Sequence, residues 1–197
     1  MPSGEIQTDE IVRHALSVGK DVFVPYLHSN VQMEARPGEG GSGAPKKVMD
    51  MVKLQGVKDY EGLERDAWGI PTVTEEGVEG RERVLGGFGD SAGGKRRVSL
   101  DVMLIPGVAF EVEEGERGVV RRLGHGKGFY DYFLHRYRSS DEHATEKASV
   151  EKMALFGLAL KDQVLRDIQA PHVPVGPHDS LLDGLIVGDG QIIEAPT

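Results

Sequence analysis

Met153-Ala154-Leu155-Phe156-Gly157-Leu158-Ala159-Leu160 is an unbroken apolar run that ends at Lys161-Asp162. A run of that length without polar alternation predicts a strand buried on both faces, because a half-exposed strand would alternate. Two shorter runs have the same character. Val102-Met103-Leu104-Ile105 is closed by Pro106-Gly107, and Leu185-Ile186-Val187 is followed by the turn Gly188-Asp189-Gly190-Gln191. Between the first two, Phe129, Tyr130, Phe133, Leu134 and Tyr137 recur at intervals of three and four, which is one face of a helix. After Leu160, the spacing of Val164, Leu165 and Ile168 predicts a short amphipathic helix. Apolar strands separated by helices predict an α/β fold: a single three-layer α/β/α domain over residues 1–197 with a central, mostly parallel sheet.

The first half reads less regularly. Thr8 can cap a helix whose first turn carries Asp9 and Glu10; Ile11, Val12, Ala15 and Leu16 make its stripe and Gly19 its stop. Val22-Phe23-Val24 predicts a strand ending at Pro25, and Val48 to Leu54 a second strand. Trp68-Gly69-Ile70-Pro71 is turn-like. Flexible loops are expected near 36–47, 75–97 and 139–150, where Gly, Pro and polar residues gather.

Composition removes several function classes. The chain has 197 residues, 39% hydrophobic and 28% charged, as a soluble domain with a real core should have. Its net charge is −9, which disfavours general nucleic-acid or anionic-membrane binding. It has no cysteine, so disulfides, thiolate zinc sites and cysteine nucleophiles are excluded. No apolar run approaches the roughly 20 residues that span a bilayer. Met1-Pro2-Ser3-Gly4-Glu5 has neither a basic nor an apolar leader segment, so a cytoplasmic protein is expected, with a mitochondrial form left open.

Against that acidic background, Arg122-Leu123-Gly124-His125-Gly126-Lys127-Gly128-Phe129-Tyr130-Asp131 concentrates unusual chemistry. It is neither a Walker A loop, because no Ser or Thr follows Lys127, nor the dinucleotide fingerprint, because its glycines are two apart. A glycine-rich turn opening a helix presents free N–H groups to an anion. Arg122 can fork onto a phosphate and Lys127 can act as a point charge. The competing reading is a solvated Gly/Lys turn. Asp131, in the first helical turn, either complements the helix dipole or holds Mg²⁺, which typically takes one or two carboxylates plus phosphate oxygens.

A second cluster, Pro174 to Asp183, sets Asp179 and Asp183 just before a core strand. Loops at strand ends are where α/β sheets place ligands; the alternative is one turn aspartate and one capping aspartate. His178 reads as structural or solvent-facing. Met49, Met51, Trp68, Phe129 and Tyr130 each have core packing as the simpler explanation, and Glu5 alone is an ordinary polar residue. No nucleophile elbow or His-Glu-x-x-His helix is present.

Taken in order, these motifs resemble the 5-formyltetrahydrofolate cyclo-ligase family. The strongest match joins Leu104-Ile105-Pro106-Gly107-Val108-Ala109-Phe110 to residues 122–131, against a family pattern of a strand ending in Pro-Gly, an aromatic, then Arg-Leu-Gly-Arg-Gly-x-Gly-Tyr-Tyr-Asp. Glu5-Ile6-Gln7-Thr8, Phe23-Val24-Pro25, Met49 to Lys53, Trp68 to Pro71, Leu158 to Gln163 and Pro177 to Asp183 match in the same order. The resemblance implies that ATP phosphorylates the formyl oxygen of 5-formyltetrahydrofolate. N10 then attacks the activated carbon and phosphate leaves, giving 5,10-methenyltetrahydrofolate and ADP. It implies ATP as co-substrate and Mg²⁺ as cofactor. Arg122 and Lys127 would be catalytic through charge neutralisation, and Arg122 through Tyr130 would bind ATP. Glu5, Met49, Trp68 and Tyr130 would bind the folate, and Asp131 and Asp183 the metal. The partners implied are small molecules, with no nucleic acid or membrane, for a monomer.

Two departures stand out. The family pattern has a helix with phosphate-binding Lys and Arg, then a strand, ahead of the Glu5 motif, and the resemblance places Met1 after both. His125 stands where the family usually has Arg; losing a charged phosphate contact of that kind costs about 1.5–3 kcal/mol. The alternative function is therefore a non-catalytic folate-binding remnant or isoform without the ATP clamp. A third reading, open on fold alone, is an unrelated phosphosugar or nucleotide binder.

Overall fold

In the computed structural model the apolar run at 153–160 becomes a strand with neighbours on both sides. The structure describes residues 6–29, 46–86, 98–113, 119–139, 153–165 and 172–194. The chain divides into two compact units. One comprises Met1–Gln7, Ser99–His135 and Ala144–Thr197; the other comprises Thr8–Val98 and Arg136–His143.

In the second unit, helix α1 (Asp9–Ser17) starts after Thr8 as expected, although the Thr8 side chain makes no capping bond. It ends in a Schellman arrangement: Lys20 N–H donates to Ala15 O at 3.0 Å and Gly19 N–H to Leu16 O at 3.2 Å. Strands β1 (Phe23–Ser29) and β2 (Lys47–Lys53) pair antiparallel. Pro25 does not end β1, as the sequence suggested, but sits inside it opposite Met51. Leu54 N–H donates to Val22 O at 2.8 Å, which makes even-numbered β1 positions the hydrogen-bonded ones. Pro25 therefore falls where no ladder donor is needed. The opposite edge of β2 is also used: Lys53 N–H donates to Glu82 O at 2.9 Å and Val84 N–H to Met51 O at 3.0 Å. Flanked on both sides, β2 is buried along Val48–Val52. Within the stretch read as loop at 75–97, Val78 and Val84 are buried; residues 87–97, like 30–45 and 140–152, lie outside the described residues. Helix α2 (Val57–Glu61) buries Tyr60, whose hydroxyl donates to Asp9 Oδ1 at 3.0 Å. Strands β3 (Glu64–Arg65) and β4 (Pro71–Thr72) form a hairpin around Trp68.

In the first unit, the central sheet is ordered β11-β10-β8-β5, with β5 (Val102–Pro106), β8 (Ala154–Ala159), β10 (Gly184–Val187) and β11 (Ile192–Glu194). The β5–β8 and β8–β10 pairs are parallel and only β10–β11 is antiparallel. The mixed α/β, mostly parallel sheet expected from sequence is what forms. Its interior is packed too closely for a side chain at Gly184. A Cβ there would lie 2.4 Å from Phe156 Cε1 and 2.7 Å from the Ile193 carbonyl oxygen, so the Phe156 ring covers the glycine across the parallel pair.

A three-stranded sheet, β7-β6-β9, adjoins the same unit: β6 (Ala109–Glu113), β7 (Val119–Leu123) and β9 (Val164–Leu165). Here the expected helix at Val164 and Leu165 is corrected. After a 3₁₀ turn at Lys161–Gln163, these residues pair in parallel with Phe110 and Glu111. A bonded sheet edge on β6 outweighs the weak helical period of two adjacent residues; Ile168 lies outside the described residues. Helix α3 (Phe129–Ser139) follows the glycine loop as expected and buries Phe133, Leu134 and Tyr137. Among the described residues no helix is long and apolar enough to cross a membrane.

Candidate active site

The hairpin β6–β7 aims Arg122 at the glycine loop. Phe110 pairs with Arg122, Val108 N–H donates to Leu123 O at 2.7 Å, and the strand ends there. The Arg122 stem passes over Gly107, where a Cβ would come within 3.0 Å of Arg122 Cγ and 2.7 Å of Phe110 Cζ. This gives a physical reason for the Pro106-Gly107 ending of β5. The loop then turns through Gly126 (φ 76°) and Gly128 (φ 62°), left-handed conformations that side-chain-bearing residues resist. Tyr132 N–H donates to Gly128 O at 2.9 Å, the first helical bond of α3. The backbone N–H groups of a helix's first turn are the ones that face an incoming anion. His125, Gly126, Lys127 and Gly128 are exposed, and Phe129 and Tyr130 are half-buried.

Arg122 and Asp131, nine positions apart, meet across this turn. Arg122 Nη2 donates to Asp131 Oδ2 at 2.6 Å, with the two side chains 9% and 13% exposed. Arg122 Nη1 lies 3.4 Å from Pro106 O, and its Cζ stands 5.9 Å from the centre of the Tyr130 ring. Asp131 Oδ1 accepts the backbone N–H of Ser180 at 3.1 Å. The expected phosphate ligand and the expected metal ligand are thus each other's ion-pair partners.

Ser180 belongs to the second acidic cluster, which is anchored at both ends. Leu182 N–H donates to Val120 O at 3.0 Å. Upstream, Glu111 accepts Val173 N–H at 2.8 Å, and His172 Nδ1 lies 2.5 Å from its other oxygen. The His172 hydrogen bond, working against burial and aided by the Val173 N–H and nearby Arg121, holds the Glu111 carboxyl below the usual carboxylate range. Asp179 accepts Gly176 N–H at 2.7 Å, a turn bond, and His178 is exposed. Asp183 exchanges bonds with Leu155: its Oδ2 accepts Leu155 N–H at 2.9 Å and its own N–H donates to Leu155 O at 2.8 Å. Among the described residues no group of three or more His, Asp or Glu side chains converges as a metal site. A cation here would depend on one or two carboxylates completed by phosphate oxygens and water.

The residues expected to meet folate are divided. Tyr130 belongs to the unit that carries the glycine loop, whereas Met49 and Trp68 belong to the other. Glu5 lies outside the described residues. Met49 is buried in β2. Trp68 is 68% exposed, which excludes the core-packing explanation for the only tryptophan. The hairpin is built to present it. Asp66 Oδ1 accepts the N–H groups of Trp68 and Ile70, each at 2.9 Å, and Arg65 Nη1 donates to Gly69 O at 2.6 Å.

One charged centre escaped the sequence reading. Asp50 lies in the middle of β2 and is the one charged residue that is fully buried among those described. Its Oδ2 lies 2.9 Å from His28 Nε2 and 3.6 Å from Arg83 Nη1; Arg136 Nη2 donates to Oδ1 at 2.9 Å and also to Met49 O. His28 stacks on Tyr26 at 5.6 Å. A lone Asp inside the otherwise apolar run of Val48 to Val52 is the available signal.

Known proteins resemble this chain along nearly its whole length. The chain is 29% identical over 196 residues to 5-formyltetrahydrofolate cyclo-ligase of Saccharomyces cerevisiae, covering 98% of this chain and 74% of that protein. It is 31% identical over 191 residues to the probable 5-formyltetrahydrofolate cyclo-ligase of Caenorhabditis elegans, covering 97% and 71%. With the cyclo-ligase of Mus musculus it shares 29% identity over 185 residues, covering 94% and 68%. The family model for 5-formyltetrahydrofolate cyclo-ligases matches residues 1–188, a span that contains the glycine loop, the Arg122–Asp131 pair and the Pro174–Asp183 segment, and the chain belongs to that family.

Proposed function

We propose that this chain catalyses the ATP- and Mg²⁺-dependent conversion of 5-formyltetrahydrofolate to 5,10-methenyltetrahydrofolate, releasing ADP and phosphate. The observation that carries the reading is the meeting of Arg122, Asp131 and the Ser180 N–H at a left-handed glycine turn that opens α3. Phosphoryl transfer asks mainly for positioning and charge neutralisation. Arg122, Lys127 and the loop N–H groups would bind the triphosphate, with Leu123 to Tyr130 shaping the cradle. The formyl oxygen attacks the γ-phosphorus and ADP leaves. N10 then bonds to the formyl carbon, the carbon–oxygen bond breaks, N10 gives up its proton and inorganic phosphate departs. Glu5, Met49, Trp68 and Tyr130 are the proposed folate contacts. The exposed Trp68 ring has the apolar area and flat face that a pterin or aminobenzoyl ring stacks upon.

Asp131 also fits a divalent cation chemically. Its carboxylate already rests against one cation, Arg122, and a carboxylate oxygen is the hard ligand that Mg²⁺ takes. Asp131 and Asp183 would hold Mg²⁺, which would offset charge on the phosphoryl group in transfer. The chain would act on small molecules as a monomer. The test is purified protein with ATP, Mg²⁺ and 5-formyltetrahydrofolate. The methenyl product should appear as new near-ultraviolet absorbance that requires all three, and folded protein that yields none overturns the proposal.

A further inference from the structure

We propose that the Arg122–Asp131 ion pair is a latch. In the nucleotide-free chain Arg122 occupies the cation position at Asp131, and it exchanges that carboxylate for a nucleotide phosphate as a divalent cation takes its place. This deepens the ATP and Mg²⁺ reading above and rests on it. The geometry leaves each ligand alone at a disadvantage. A bare divalent cation must displace a guanidinium that is 2.6 Å from Asp131 and 9% exposed. A phosphate without metal must approach Arg122 with the Asp131 carboxylate still beside it, and like charges at that distance repel. Arriving together, phosphate and metal restore the charge balance, because each replaces the partner the other removes.

The surroundings suit an exchange rather than a fixed bridge. Ser180 N–H holds the other Asp131 oxygen at 3.1 Å, so the carboxylate keeps its place when Arg122 leaves. Gly124 backs the guanidinium, since a Cβ there would stand 2.8 Å from Arg122 Nη1. The Tyr130 face, 5.9 Å from Cζ, gives the guanidinium a surface along which to move. Binding of the two ligands is then reciprocally coupled, and a coupling of about tenfold lies within the usual range.

The experiment measures each ligand without the other. Mn²⁺ binding by electron paramagnetic resonance, with no nucleotide, is compared in wild type and Arg122→Gln. ADP binding by calorimetry, with and without Mg²⁺, is compared in wild type and Asp131→Asn. The latch predicts that Arg122→Gln binds bare Mn²⁺ about tenfold tighter than wild type while its ADP binding weakens. It predicts that Asp131→Asn binds metal-free ADP about tenfold tighter than wild type. Unchanged or weaker Mn²⁺ binding in Arg122→Gln overturns the latch and, with Mg²⁺–ADP binding and turnover intact in wild type, leaves the enzymatic reading standing. Wild type that binds no Mg²⁺–ADP overturns both. If Arg122→Gln fails to fold by circular dichroism, the near-isosteric Asp131→Asn decides alone, and metal-free ADP binding no tighter than wild type overturns the latch.

Discussion

Asp50→Asn should be among the most damaging single substitutions outside the glycine loop. Asn keeps the shape and one acceptor but removes the charge. The Asp50 side chain is 2% exposed and faces Arg136 at 2.9 Å, His28 at 2.9 Å and Arg83 at 3.6 Å. At an effective dielectric near 20, one such contact at roughly 4 Å is worth about 4 kcal/mol of gross attraction, much of it offset by desolvation of the carboxylate. Removing one member of a buried pair usually costs about 3–5 kcal/mol, because the remaining charge is left uncompensated. The two arginines here keep 21% and 23% of their surface in water, which places the expected loss near the low end, about 3 kcal/mol. With a urea m-value of about 2 kcal/mol/M, the unfolding midpoint should fall by about 1.5 M. Far-ultraviolet circular dichroism is the assay of choice, since Trp68 is already exposed in the folded chain and its fluorescence would report little. A loss under about 0.5 kcal/mol, the range of an ordinary surface change, would refute the claim that β2 is held through this charge cluster.

Two further outcomes follow from other contacts. The bidentate Arg81 bonds to Asp59, both 2.6 Å, hold that carboxyl below its usual range despite burial, with help from the Gln55 N–H. A depressed folded value means stability that is complete above about pH 4 and lost as pH falls further through the folded value. The gap in unfolding free energy between wild type and Asp59→Asn should accordingly narrow below about pH 4, and a gap that stays constant from pH 6 to 3 would count against it. For the nucleotide, His125→Arg on the exposed loop should tighten ATP binding in calorimetry by about tenfold, the low end for a regained charged hydrogen bond at a wet site. No change in affinity would remove position 125 from the phosphate cradle.

The parts of the fold that sequence made legible are those whose burial is symmetric. Strands β8 and β10 have a neighbour on each side and little exposed surface, so their residues are apolar without interruption; β5, at the sheet edge, keeps an apolar run although Val102 is exposed. The hairpin β6–β7 was invisible for the opposite reason. Glu111, Glu113 and Arg121 share one face, but Arg122 shares the other with buried Phe110, so neither face reads as purely apolar. Pro25 misled because the rule that proline ends a strand depends on ladder parity, which only the Leu54–Val22 bond fixes. Val164 and Leu165 misled because two adjacent apolar residues fit either period. In the site, the residue types at 122–131 announced an anion and a cation, but not that Arg122 and Asp131 are bonded to each other. That contact depends on the left-handed turns at Gly126 and Gly128. Trp68 shows the limit of composition: a lone tryptophan reads as core, and only the Asp66 turn reveals that it is presented to solvent.

In the proposed reaction ATP activates the formyl oxygen of 5-formyltetrahydrofolate by phosphorylation. The fate of that oxygen tests it most directly. With substrate carrying ¹⁸O in the formyl group, ATP and Mg²⁺, the label should leave in inorganic phosphate, in step with methenyl product. Phosphate free of label while methenyl product forms, or ATP hydrolysis with no product at all, would contradict it.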